Sequence, residues 1–217
     1  PNRRLRIGIF SPDFRLHSCA YFSSALFTAL DRKDFEIIGI PTSGTSDFMT
    51  AQFRRMADQW VPAYEVSWVA MAERLRDMEL DIAIDLAGHT SNNALALFIH
   101  RIAPIQINWL GYPNTTGVRN MDYRIVDHIT DPEGYDREHY TEELIRLDRC
   151  FLCYKPAKSL PPVEDKSSRE RIIFGTFNAI SKINTDVLDA WIEILKRVPD
   201  SALMVKALQF GEERLTD

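Results

Sequence analysis

The chain has 217 residues, enough for one large α/β domain or one domain and part of a second. It is 45% hydrophobic and 26% charged, ordinary for a globular protein with a sizeable core. A net charge of −5 excludes nonspecific attraction to nucleic acid or anionic membranes, though not a local basic pocket. The three cysteines, Cys19, Cys150 and Cys153, are odd in number and lack framework spacing, which argues against a disulfide-stapled secreted domain. No stretch reads as a signal peptide and no apolar run reaches ~18 residues. The expectation is a cytoplasmic protein without membrane or nucleic-acid partners. Pro1 opens almost directly on a strand and Asp217 follows an unfinished βαβ pattern, so the chain reads as a piece of something longer.

Leu5 to Phe10 (LRIGIF) is a continuous apolar run and predicts a parallel strand buried on both faces. SPDF then turns the chain, because Pro12 disfavours a helix at the residue before it. After His17, apolar residues at Tyr21, Phe22, Ala25, Leu26 and Ala29 recur at helical spacing. Strand, loop and helix open a Rossmann-type unit, but the dinucleotide fingerprint GxGxxG is absent. Phe35 to Ile40 predicts a second strand. Asp47 to Asp58 predicts a helix capped by Ser46 or Asp47. Trp60 and Val61 suggest a short third strand, and Trp68 to Met78 an amphipathic helix.

Leu80 to Leu86 (LDIAIDL) predicts a strand with AGHT at its carboxyl end. Asn92 to His100 predicts a helix. Pro104 opens the strand PIQINWL, which ends in LGYPNTTG, and Met121 to Val126 predicts another strand. This alternation implies a parallel sheet with helices on both faces. In such sheets ligands bind at the carboxyl ends of strands, so AGHT and LGYPNTTG are candidate ligand loops. An acidic, turn-rich segment follows, and LIRLDRCFLCY suggests one or two short strands. Cys150 and Cys153 form a CxxC pair with no second pair and no His nearby, which argues against zinc; the residues between them look like a strand with buried thiols. Lys155 to Ser168 has three prolines and linker composition. Beyond it, Arg171 to Asn178, Asp186 to Arg197 and Ser201 to Lys206 predict strand, helix and strand. The domain boundaries expected are 1–160 and 161–217.

Four segments then carry a resemblance. SPDFRLHS, DLAGHT, RIAPIQINWLGYPNTTG followed by MDY, and FGTFNAISKI followed by LDAWIEILKRVPDSALMV occur in this order and span nearly the whole chain. Together they resemble the catalytic region of O-linked N-acetylglucosaminyltransferases of the bacterial and plant type. The resemblance implies a GT-B fold: a Rossmann-like half at 1–160, and at 161–217 a linker and the start of the nucleotide-binding half. It implies transfer of N-acetylglucosamine from UDP-GlcNAc to Ser or Thr hydroxyls of proteins, with no metal and no cofactor beyond the donor substrate. It also implies upstream tetratricopeptide repeats, and a donor site whose later part lies beyond Asp217. A related UDP-glucose or Asn-directed protein glycosyltransferase, or a noncatalytic nucleotide- or protein-binding fragment of the same fold, are the alternative readings.

Such chemistry needs a neutralised leaving diphosphate and a destination for the acceptor proton. Lys182, at a loop before a helix, lies where a phosphate would bind, and similar sequences place a diphosphate-contacting Lys there. Asn178 neighbours the same pocket. His17 precedes a helix, whose N-terminus disfavours positive charge and so suits a neutral base; by the resemblance it matches a histidine proposed as base. An equal reading is that it orients acceptor or sugar, or caps the helix. His89, beside a glycine at a strand end, is the third catalytic candidate, or else a loop brace bonded to Asp85 or Thr90. In LGYPNTTG, Gly111 and Pro113 shape a turn, Tyr112 packs on or donates to the sugar, and Thr115 and Thr116 offer hydroxyls. Asp13 and Asp85 are far apart in sequence, and each is expected to cap a helix or orient a histidine rather than hold a metal.

Overall fold

The computed structural model describes residues 3–134, 138–155, 160, 162, 171–207 and 210. The chain divides into two compact units, Pro1–Lys158 and Ser159–Asp217. The proline-rich stretch read as a linker falls mostly outside the described residues.

The first unit alternates strand and helix: β1 (Leu5–Ser11), α1 (Ser18–Ala29), β2 (Phe35–Pro41), α2 (Phe48–Met56), β3 (Gln59–Trp60), α3 (Trp68–Asp77), β4 (Ile82–Asp85) and α4 (Leu95–Phe98). It continues through β5 (Ile105–Asn108), β6 (Tyr123–Asp127) and β7 (Glu143–Leu147). The seven strands form one sheet in the order β3-β2-β1-β4-β5-β6-β7. Every pairing is parallel.

Period-two alternation sorts the apolar residues into two cores. Ile7 and Ile9 of β1 and Ile37 of β2 pack with Phe14, Phe27 of α1 and Phe53 of α2 on one face. Phe10, Ile38 and Ile40 pack with Met71 and Leu75 of α3 and Leu97 and Phe98 of α4 on the other. On the first face Phe14, Phe27 and Phe53 meet ring to ring, with centroids 4.9 to 5.5 Å apart. That contact anchors the turn after β1 to both covering helices.

The helix starts follow capping chemistry. Asp47 caps α2, accepting the backbone N–H of Met49 and Thr50, and its other oxygen accepts the N–H of Leu16 at 2.6 Å. Ser67 caps α3. Two sequence expectations are corrected. The helix expected over 92–100 is only Leu95–Phe98, because Asn92 takes a left-handed φ of 58° and its carbonyl is fixed by Thr42 Oγ1 at 2.6 Å. The CxxC segment is not a strand and its thiols are exposed. The Phe151 N–H goes to Asp127 Oδ2 (3.0 Å) and its carbonyl to the Trp109 indole (2.9 Å), so side chains take the bonds a ladder would have used.

The second unit pairs β8 (Ile173–Thr176) in parallel with β9 (Ala202–Val205). Between them lie a 3₁₀ turn at Ile180–Lys182 and α5 (Thr185–Arg197), capped by Asn184. No helix among the described residues is long and apolar enough to cross a membrane.

Candidate functional site

The strand order reverses between β1 and β4, and in an open parallel sheet the crevice beyond that reversal is the place for a ligand. SPDFRLHS leaves β1 there and AGHT leaves β4 there. A cleft of about 290 Å³ opens between them, lined by Asp13, His17, Cys19, Ser43, Thr90 and Gly111 among others.

His17 is the N-cap of α1. Its Nδ1 lies 3.3 Å from the N–H of Cys19 and 3.4 Å from Asp13 Oδ2. These contacts exclude each other. The amide needs a lone pair on Nδ1, whereas the carboxylate needs a proton there. Facing Asp13, the neutral ring carries its proton on Nδ1 and leaves the Nε2 lone pair free, the form a base requires. Asp13 also bonds Arg15 at 3.1 Å. Burial pushes the Cys19 thiol up, and the Asp13 charge adds to this.

The wall made by the β4 and β5 loops rests on buried polar residues. Asp85, fully buried, accepts the N–H groups of Ala87 (3.1 Å) and Gly88 (2.8 Å) and the Asn108 amide (2.8 Å). Burial pushes its carboxyl up, and those hydrogen bonds oppose the shift. Asn108 in turn accepts from Arg124, whose other Nη donates to the Tyr112 carbonyl at 2.5 Å. Gly111 has no room for a side chain, since a Cβ would sit 2.2 Å from the Leu86 carbonyl oxygen. The two loops therefore touch backbone to backbone.

His89 is not among the residues lining the cleft. Its Nε2 bonds the Thr116 carbonyl at 2.8 Å, and its ring meets Tyr112 edge-on at 5.3 Å. It braces one loop against the other, through a partner other than Asp85 or Thr90. Glu142 holds both threonines: Thr115 Oγ1 at 2.7 Å, the Thr116 N–H at 2.7 Å, and the Thr116 hydroxyl. Thr116 is buried and Pro113 exposed. Of the residues expected to line a sugar pocket, Gly111 reaches the cleft, while Tyr112, Thr115 and Thr116 set the shape of its wall.

Lys182 and Asn178 belong to the second unit. Both follow the carboxyl end of β8 and are exposed. Asn178 folds back on the Thr176 hydroxyl at 3.2 Å. Lys182 ends the 3₁₀ turn two residues before the α5 cap, with its N–H on the Ala179 carbonyl at 3.0 Å.

Sequence reasoning missed Asn108, Arg124, Glu142 and Cys19. The first two carried a signal: a polar residue inside PIQINWL and one inside MDYRIV, at strands expected to be buried. Cys19 lies two residues past His17, on the first turn of the helix. Glu142 lies in a turn-rich stretch with no pattern to mark it.

A doubly wound parallel sheet with a polar cleft at its switch point is the architecture of α/β domains that bind ligands at the carboxyl ends of their strands. The profile of Glycosyl transferase family 41 matches residues 1–171, and the chain belongs to that family. It is 38% identical over 216 residues to a protein of Arabidopsis thaliana named probable UDP-N-acetylglucosamine–peptide N-acetylglucosaminyltransferase SPINDLY, covering 97% of this chain and 24% of that protein. A Caenorhabditis elegans UDP-N-acetylglucosamine–peptide N-acetylglucosaminyltransferase is 30% identical over 205 residues, covering 86% of this chain and 18% of that one. Among solved structures, a mutant O-GlcNAc transferase of Thermobaculum terrenum superposes with a TM-score of 0.89 at 35% identity, over 98% of this chain and 40% of that chain. The fold is α/β of the GT-B type. The chain spans about a quarter of the length of the curated plant relatives it matches.

Proposed function

We propose that the chain is part of an enzyme that transfers N-acetylglucosamine from UDP-GlcNAc to Ser or Thr hydroxyls of proteins, without a metal. The acceptor oxygen attacks the anomeric carbon, the bond to the diphosphate breaks, UDP leaves, and the acceptor proton passes to a base. His17 is that base. The observation that carries this reading is the imidazole in the switch-point cleft with Asp13 3.4 Å from its Nδ1, the arrangement that frees Nε2. His89, Tyr112, Thr115 and Thr116 support the wall facing it. Lys182, at the end of a strand-following turn, neutralises charge on the departing diphosphate, with Asn178 on the same segment after β8. The relatives' names support donor and acceptor class.

The test is a donor panel with the full-length protein, reading released UDP and the modified residue by mass spectrometry. UDP-GlcNAc gives GlcNAc on Ser or Thr. A product carrying glucose, or sugar on Asn, contradicts the proposal.

A further inference from the structure

We propose that Asp13, His17 and Cys19 form a zinc-binding site in the cleft, and that a bound ion blocks sugar transfer. One donor atom from each of the three side chains lies within 4.8 Å of the other two. All three line the same open cleft, so an ion has a path in. The set is one carboxylate oxygen, one imidazole nitrogen and one sulfur, and zinc accepts such mixed sets with a fourth position left open. A single carboxylate does not satisfy magnesium or calcium, which take oxygen ligands almost throughout.

The spacing is within reach of closure. Zinc bonds of about 2.0 to 2.3 Å in a tetrahedron put donor atoms about 3.3 to 3.7 Å apart. From separations of up to 4.8 Å, closure asks the donor atoms to approach by on the order of an ångström. The local fold supplies the rest: Phe14 buries the turn between β1 and α1, and Asp47 holds the N–H of Leu16. With the ring proton on Nδ1, facing Asp13 rather than capping the Cys19 amide, the metal takes the Nε2 lone pair. That is the lone pair the base needs, so ion and acceptor proton compete for one atom. Only the inhibitory consequence rests on the transferase reading; binding does not.

Cobalt(II) reports thiolate ligation by charge-transfer absorption. The 217-residue chain with Cys150→Ser and Cys153→Ser keeps Cys19 as its one thiol. Titration of this protein with cobalt chloride gives a charge-transfer band saturating at one equivalent, and zinc chloride removes it. Asp13→Asn and His17→Asn each weaken both metals at least tenfold; Asn keeps the helix cap in the second variant. In the full-length enzyme, zinc inhibits transfer reversibly on chelation, and Cys19→Ala raises the half-inhibitory concentration at least tenfold. Absence of the band, or affinity unchanged in both variants, overturns the site. Half-inhibition unchanged by Cys19→Ala overturns the link to transfer. An enzyme that moves no sugar counts against the transferase reading alone, since the cobalt titration still decides the site.

Discussion

His17 lies within reach of two partners that exclude each other at Nδ1, the Cys19 amide and the Asp13 carboxylate, and substitution separates the two roles. His17→Ala removes the side chain that accepts the Cys19 N–H and costs about 1 kcal/mol of stability, the usual worth of an N-cap. His17→Asn restores the cap and brings stability back to within about 0.5 kcal/mol of wild type, but cannot take a proton. Urea denaturation of the two variants checks this. If both lose the same stability, the ring serves the helix in some way other than by capping it. Lys182 is exposed. Lys182→Ala therefore leaves the melting temperature unchanged and lowers turnover about 10²- to 10³-fold in the full-length enzyme, the range for losing a charge-stabilising donor. Turnover at the wild-type level contradicts its assignment to the diphosphate.

The loops after β4 and β5 stay in place through a chain of polar groups running from the Ala87 and Gly88 amides through Asp85, Asn108 and Arg124 to the Tyr112 carbonyl. Asp85→Ala leaves two buried N–H groups and the Asn108 amide without their acceptor. The expected loss is about 3 to 5 kcal/mol, measured by chemical denaturation. A loss below about 1 kcal/mol would mean that the loops stand without the network. This network also marks the boundary of what the sequence discloses. The strands were legible because their apolar runs, such as LRIGIF and FEIIGI, need burial on both faces. Asp47 and Ser67 marked helix starts by cap chemistry. The short α4 and the CFLC segment were not legible, because each is decided by partners distant in sequence: Thr42 for Asn92, and Asp127 and Trp109 for Phe151. In the candidate site, residue types and loops were legible, but their direction was not. His89 reads from the sequence as a catalytic group or a loop brace, and only the fold shows that its Nε2 meets the Thr116 carbonyl.

Across the first unit, carboxylates tie loops to helix and strand ends. Hydrogen bonds from the Leu16, Thr50 and Met49 amides hold Asp47 below its ordinary value of 3.8. The Arg3 guanidinium does the same for Asp81, with the Arg6 amide adding to it. A depressed folded-state pKa contributes stability that is complete above the unfolded value and lost as pH falls through the folded one. The protein therefore loses stability on acidification below about pH 5, and Asp47→Asn flattens that dependence. Circular dichroism melts between about pH 5 and about pH 2 check it, and a parallel pair of curves counts against the Asp47 contribution.

The same carboxylate-anchored turn presents His17 to the cleft, where in the proposed reaction it takes a proton from a protein hydroxyl. The most direct measurement is sugar transfer by the full-length protein, wild type against His17→Asn, with UDP-GlcNAc as donor and the product read by mass spectrometry. The expected result is GlcNAc on Ser or Thr from the wild type, and a rate lower by about 10²-fold or more from a variant of nearly wild-type stability. Transfer by His17→Asn at the wild-type rate would contradict it.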